Sequence, residues 1–256
     1  MHIVFHAQSH KGLVRQLNED ACLALPDARL WAVADGMGGH AAGDVASQMV
    51  MDMLQTVVDT AGDNLSPALL SQALQEANRA LVNYSKQQLL GTLAGSTVVV
   101  LFIQAQQYHL LWAGDSRCYL LRENELRQLS HDHSQVNEMV EQGLLAASEA
   151  ESHELANVIT RAVGVDSELD IAICSGPCQA GDLFLLCTDG LTKELPDNEI
   201  YQYLQHDDIA DASKALLHST LVSGAKDNVT SILVKLHLNN NVNLNDKTIP
   251  LNLKNV

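Results

Sequence analysis

Residues 34–43, Ala-Asp-Gly-Met-Gly-Gly-His-Ala-Ala-Gly, constrain this 256-residue chain more than any other stretch. An apolar run from Leu30 to Ala34 stops at Asp35, and four glycines follow within eight positions. Backbone of this kind is free to take positive φ and to approach a ligand closely. Taken alone, the stretch serves equally well as a strand-turn-helix connection in which Asp35 caps a helix starting near Ala42. Other acidic residues tip the balance. Leu-Leu-Trp-Ala-Gly leads into Asp115, Phe-Leu-Leu-Cys-Thr leads into Asp189, Asp227 stands just before the last strand, and Glu19-Asp20 stands before another. Any one Asp-Gly is ordinary turn chemistry, but five acidic strand ends in one chain are not. If they converge on one rim, mutual repulsion at low dielectric raises their pKa values or opens the site. Hard divalent cations resolve this. An all-oxygen donor set favours Mg²⁺ or Mn²⁺, with Ca²⁺ also open, and argues against zinc or copper.

The order of elements follows from hydrophobic spacing. Residues 2–7, 22–25 and 30–34 predict strands, the last two split by the Pro26-Asp27 turn. Val45, Met49, Val50, Met53, Leu54 and Val57 recur at helical spacing, and Ser66-Pro67 opens a second amphipathic helix through Leu81. Strand-like runs at 96–103, 108–113, 118–122 and 126–129 have the spacing of an antiparallel meander. Val98 to Ile103 is continuously apolar, so that strand is expected to be buried on both faces. Residues 134–166 are expected to be helical, polar and mobile, a flap over a site, with Gly143 and Gly164 as breaks. Strands at 169–174 and 183–188, helices at about 197–204 and 208–222, and a strand at 229–236 complete the pattern. The fold class that satisfies it is α+β: a four-layer αββα sandwich, two antiparallel sheets with helix pairs on their outer faces. Residues 1–236 are expected to be one catalytic domain and 237–256 an Asn-rich flexible tail.

Charge and cysteine usage narrow the function classes. Fifteen Lys and Arg against 31 Asp and Glu give a net charge of −16. Such a surface repels phosphate backbones and anionic membranes, so no nucleic-acid partner and no membrane insertion are expected. No stretch has the pattern of a signal peptide or the ~20 apolar residues of a membrane span, which points to the cytoplasm. Cys22, Cys118, Cys174, Cys178 and Cys187 are an odd number, mostly inside apolar runs, as expected of buried thiols in a reducing compartment.

At this point the residues carry a resemblance. Arg15-Gln-Leu-Asn-Glu-Asp20, Asp35-Gly-Met-Gly-Gly-His40, Gly95-Ser-Thr97, Gly114-Asp-Ser-Arg117, Asp132-His-Ser134, Ile159-Thr-Arg-Ala-Val-Gly164, Thr188-Asp-Gly-Leu191 and Asp227-Asn-Val-Thr230 resemble, in order, the motifs of the PP2C family of metal-dependent protein phosphatases in its bacterial form. One such motif is weak, whereas eight in order over residues 9–235 are specific. The resemblance implies a serine/threonine protein phosphatase. It would hydrolyse phosphoserine and phosphothreonine by in-line attack of a hydroxide between two Mn²⁺ or Mg²⁺ ions, as a monomer that reverses a cytoplasmic kinase.

The same resemblance implies roles. Asp35 bridges both ions, Asp189 and Asp227 complete one, and Glu19 with the Gly36 carbonyl completes the other. Asp20 acts through water or by orienting the ligands, and Asp115 with Asp189 holds a third, weaker ion. Arg15 matches the phosphate-binding arginine, a role that suits a guanidinium because it can hold two phosphoryl oxygens and stays charged. His40 is a candidate acid or member of a water network, with a purely structural role as the alternative. Animal members carry His directly after the Asp-Gly, where this chain has Met37. Two other readings compete: a two-metal phosphodiesterase or nuclease, which the negative charge opposes, and an inactive phosphoprotein-binding module, which the full set of acidic positions opposes.

Overall fold

Antiparallel pairing of the apolar runs generates two sheets. The computed structural model describes residues 2–38, 42–90, 92–150, 153–237 and 251–252. One sheet contains β1 (His2–His10), β11 (Val229–His237), β10 (Leu183–Cys187), β7 (Arg117–Arg122) and β8 (Glu125–Gln128), in that spatial order. The other contains β12 (Leu251–Asn252), β2 (Asp20–Leu25), β3 (Leu30–Gly38), β5 (Val98–Gln104), β6 (Gln107–Ala113) and β9 (Ala172–Pro177), with β4 (Ala94–Ser96) alongside the end of β3. The first strand therefore pairs with β11 along its whole length, His2 opposite His237 and His10 opposite Val229.

Helices cover the outer faces. α1 (Ala42–Ala61) and α2 (Pro67–Gln88) lie on the β2–β3–β5 sheet, where Leu54, Leu74 and Leu81 are fully buried in one core with Leu30 and Val100. Ser66 caps α2 by accepting from the Leu69 N–H at 3.4 Å, with Pro67 in the first turn, where its missing N–H costs nothing. Between the sheets, Trp31, Val99, Phe184, Ile232 and Val234 form a second core. A third joins Leu185 and Leu233 to Ile200 of α5 (Asp197–Leu204) and Leu216 of α6 (Ile209–Ser223). Three cores between four layers make the αββα sandwich that the sequence predicts. Val98 to Ile103 is buried at every position, as a strand between helices and a second sheet must be.

Several boundaries differ from expectation, among them that the run at 96–103 divides at Thr97 into β4 and β5. β3 does not stop at Asp35; it continues to Gly38, because Gly36, Met37 and Gly38 pair with Ser96, Gly95 and Ala94 of β4. Residues 134–166 are mostly turn, with one helix, α3 (Gln135–Glu141), and a single 3₁₀ turn at Ala147–Glu149. The strand expected at 169–174 starts three residues later, since β9 takes its register from β6, with Ala172 opposite Trp112 and Pro177 opposite Gln107. Of the expected tail at 237–256, His237 ends β11 and the backbone of 251–252 pairs with β2, while 238–250 and 253–256 lie outside the described residues.

Candidate metal centre

The acidic strand ends meet at one end of the sandwich. Asp20 and Asp35 stand directly opposite each other on β2 and β3. Glu19 precedes β2, and its carboxylate lies at the start of α1, where an ideal Cβ on Gly43 would come within 2.5 Å of Glu19 Oε1. The positive end of the helix dipole favours a carboxylate there. From the other sheet, Asp189 opens the one-turn helix α4 (Asp189–Thr192) directly after β10, and Asp227 stands two residues before β11. Asp115 follows β6, after Gly114 at φ +111°.

Small polar residues hold this arrangement. The Asp35 N–H donates to Thr97 Oγ1 at 2.9 Å, and its carbonyl accepts from the Thr97 N–H at 2.9 Å and from Ser96 Oγ at 3.1 Å. Thr97 Oγ1 in turn lies 2.7 Å from Ser116 Oγ, so the Gly-Ser-Thr and Gly-Asp-Ser motifs position the backbone that carries Asp35 and Asp115. Thr188 donates to Asp20 Oδ2 at 2.8 Å and accepts from the Thr230 N–H at 3.0 Å. Asn228 clips the loop before β2 to the start of β11: its Oδ1 accepts from the Glu19 N–H at 2.8 Å, and its Nδ2 donates to the carbonyls of Lys11 and Leu17 at 2.9 Å each.

Gly36 matters for closeness rather than for positive φ. Its N–H donates to the Glu19 carbonyl at 3.0 Å, and a Cβ at this position would lie 1.9 Å from the Gly43 carbonyl oxygen and 2.6 Å from that of Glu19. Only glycine lets β2, β3 and α1 meet here.

The electrostatics are those of crowded acids. Desolvation, then the charges of Asp20, Asp189, Asp115 and Asp227, push Asp35 well above the usual carboxylate range. Burial raises Asp20 to about 7 against hydrogen bonds from Thr230 and Thr188. Burial and then Asp189 raise Asp115 to about 7, and burial raises Glu19. Two cations stand among these groups. Arg15, half exposed, donates to Asp227 Oδ2 at 2.8 Å, and Lys193 Nζ ion-pairs with Asp189 and lies 4.0 Å from Asp227 Oδ2.

Does the rim fit divalent ions? Among the described residues, no three His, Cys, Asp or Glu side chains form a finished coordination set as they stand. The donor chemistry fits nonetheless. Of the seven buried side-chain polar atoms without a hydrogen-bond partner among the described residues, three are carboxylate oxygens of this rim: Oδ1 of Asp20, of Asp115 and of Asp189. Unpartnered buried acceptors are costly, and hard oxygen donors of this kind are what Mg²⁺ and Mn²⁺ take. Beside the rim, Asp115, Asp189 and Lys193 line a cavity of about 180 Å³ that is lined as well by Val136, Ala150 and Asn157 of the segment expected to be a flap.

Every acidic position singled out in the sequence thus lies at this rim, along with Arg15 and Gly36. His40 falls among residues 39–41, outside those described. Met37 is on β3, paired with Gly95, and carries no titratable group. His133 is buried and stacks on Trp112 with ring centroids 6.0 Å apart. Lys193 went unforeseen, although its place four residues after Asp189, on a segment that turns helical, is the spacing at which a lysine reaches back to a carboxylate.

Comparison with known proteins identifies the family. The family model described as Protein phosphatase 2C matches residues 8–233. The serine/threonine protein phosphatase PstP of Mycobacterium tuberculosis is 37% identical over 231 residues, covering 90% of this chain, and this chain spans only 44% of that relative's length. The serine/threonine phosphatase stp of Listeria welshimeri is 33% identical over 247 residues, covering 93% of this chain and 97% of its own. Among solved structures, the catalytic domain of PstP in complex with two manganese ions superposes with a TM-score of 0.81 at 34% identity, covering 92% of this chain and 98% of its own.

Proposed function

This chain belongs to the protein phosphatase 2C family, and from that premise we propose that its acidic rim is the two-metal centre of a serine/threonine protein phosphatase acting on phosphorylated proteins. The observation that carries this reading is the set of three buried, unpartnered carboxylate oxygens on Asp20, Asp115 and Asp189, gathered from both sheets around Asp35. Asp35 would be shared between two ions, with Asp189 and Asp227 on one side and Glu19 and the Gly36 carbonyl on the other. Asp20, held by Thr188, orients these groups. When bound, a pair of Mn²⁺ or Mg²⁺ ions supplies a nucleophile at neutral pH and neutralises phosphoryl oxygens.

The chain's own groups do the remaining work. Arg15 sits on a loop that Asn228 anchors at two carbonyls, so its guanidinium is aimed at the rim while half of it stays exposed to an incoming phosphoryl group. Exchanging Asp227 for two phosphoryl oxygens keeps its charge paired throughout. Thr97 and Ser116 hold the Asp35 and Asp115 backbones rigid, so little reorganisation remains during the reaction.

A net charge of −16 disfavours nucleic acid and anionic lipid as partners and suits basic protein segments. No helix among the described residues is long and apolar enough to cross a membrane. As the family resemblance implies, the enzyme would act as a cytoplasmic monomer that reverses a serine/threonine kinase.

Release of phosphate from a phosphothreonine peptide is expected to require Mn²⁺ or Mg²⁺. Asp35→Asn and Asp189→Asn are each expected to lower it by roughly 10²–10³-fold or more. Turnover that persists in both variants, or that is faster on a cyclic dinucleotide than on the peptide, overturns this function.

A further inference from the structure

The side of the rim facing the cavity has an uneven charge balance. Asp115 and Asp189 both line it, and both keep a buried Oδ1 without a partner. By the family resemblance this is where a third, weaker ion is expected. In the structure the same space is entered by Lys193, one helical turn beyond Asp189. Its ammonium ion-pairs with Asp189 Oδ2 and stands 4.0 Å from Asp227 Oδ2. Lys193 is fixed at its base as well, since its N–H donates to the Asp189 carbonyl at 2.8 Å.

We propose that Lys193 is the built-in cation of this side of the rim, taking the place of a third divalent ion at Asp115 and Asp189, so that the chain binds two metal ions and not three. The inference rests on the two-metal reading above. Two physical effects carry it. A tethered ammonium neutralises carboxylates without the loss of translational freedom that a free ion incurs on binding. A divalent ion entering beside it meets like-charge repulsion in a partly desolvated cavity, where such repulsion is stronger than in water. Lysine suits the position because a compact, flexible point charge can follow either carboxylate, whereas the larger, planar guanidinium is bound to its fork geometry.

The test is a count of bound metal on the full chain, by equilibrium dialysis against Mn²⁺ with the protein-bound metal quantified. Activity does not enter. Wild type is expected to hold two Mn²⁺ per chain. Lys193→Gln is expected to hold three, the added ion binding more weakly and disappearing in the Lys193→Gln, Asp115→Asn double variant. Lys193→Arg, which keeps the charge, is expected to stay at two. The Lys193 side chain is 41% exposed, so these variants are expected to fold, and the wild-type count needs no variant. Three ions in wild type or in Lys193→Arg, or two in Lys193→Gln, overturn the role of Lys193 and leave the two-metal centre standing. No bound Mn²⁺ in wild type overturns both.

Discussion

His133 shows how a side chain outside the rim can tune it. The ring stacks nearly parallel on Trp112, with an interplanar angle of 5°, and its Nδ1 accepts from the Gly114 N–H at 3.2 Å, one residue before Asp115. Its own N–H donates to the Gly114 carbonyl at 3.0 Å, so His133 grips both polar groups of the glycine. An imidazole that accepts at Nδ1 must be neutral there. Burial, with Arg161 and His131 adding to it, pushes its pKa down to about 4 from 6.5. A depressed folded-state value means that below pH 6.5 the unfolded chain binds a proton that the native chain refuses, so the stability His133 contributes is present above 6.5 and lost as pH falls through 4. In denaturant unfolding, wild type is expected to lose stability relative to His133→Gln between pH 6.5 and 4, the raised rim carboxylates contributing alike to both proteins. Equal slopes in the two proteins contradict this account.

The junction of β2, β3 and α1 sets a stricter limit. At Gly36 the strand and the helix start approach so closely that any side chain must displace the Gly43 or Glu19 backbone. Gly36→Ala is expected to cost about 1–3 kcal/mol or more, as overpacking does, and to weaken Mn²⁺ binding by spreading Glu19 away from Asp35. A chemical denaturation curve paired with a Mn²⁺ titration checks both, and unchanged midpoints refute the crowding argument. The sequence foretells this junction only in part. The change from apolar to polar residues at Asp35 marks the site correctly, yet suggests a strand end, because hydrophobic spacing is blind to backbone pairing. Gly36 to Gly38 pair with β4 through main-chain groups that no side-chain pattern reveals. Residues 134–166 suggest more helix than forms, since after α3 the chain turns at Gly143, φ +71°, and only Ala150, Ala162 and Val163 of the apolar residues beyond it are buried before Asp166. Lys193 is legible only in part: its spacing from Asp189 suggests an ion pair, but its approach to Asp227, 34 residues later, depends on the fold, and a lone lysine usually faces water. By contrast the acidic strand ends are readable, because five of them in one chain exceed ordinary turn chemistry.

The rim draws its carboxylates from both sheets, Glu19, Asp20 and Asp35 from one and Asp189 and Asp227 from the other, so ions bound there tie the two halves of the sandwich together. Because ligands bind the folded chain and not the unfolded one, free Mn²⁺ at 100 times its dissociation constant is expected to add ~2.7 kcal/mol per site. Thermal unfolding is therefore expected to shift upward with Mn²⁺ and back again with a chelator, and a midpoint indifferent to both would speak against a shared inter-sheet centre. The pairing of β1 with β11 carries this dependence into time. A ribosome that has delivered Glu19, Asp20 and Asp35 has delivered only half a site, because the partners at 189 and 227 and the strand that seats β1 are still to be made. Nascent chains therefore hold no complete rim until β11 emerges, and an interrupted translation product carries only unmatched carboxylates.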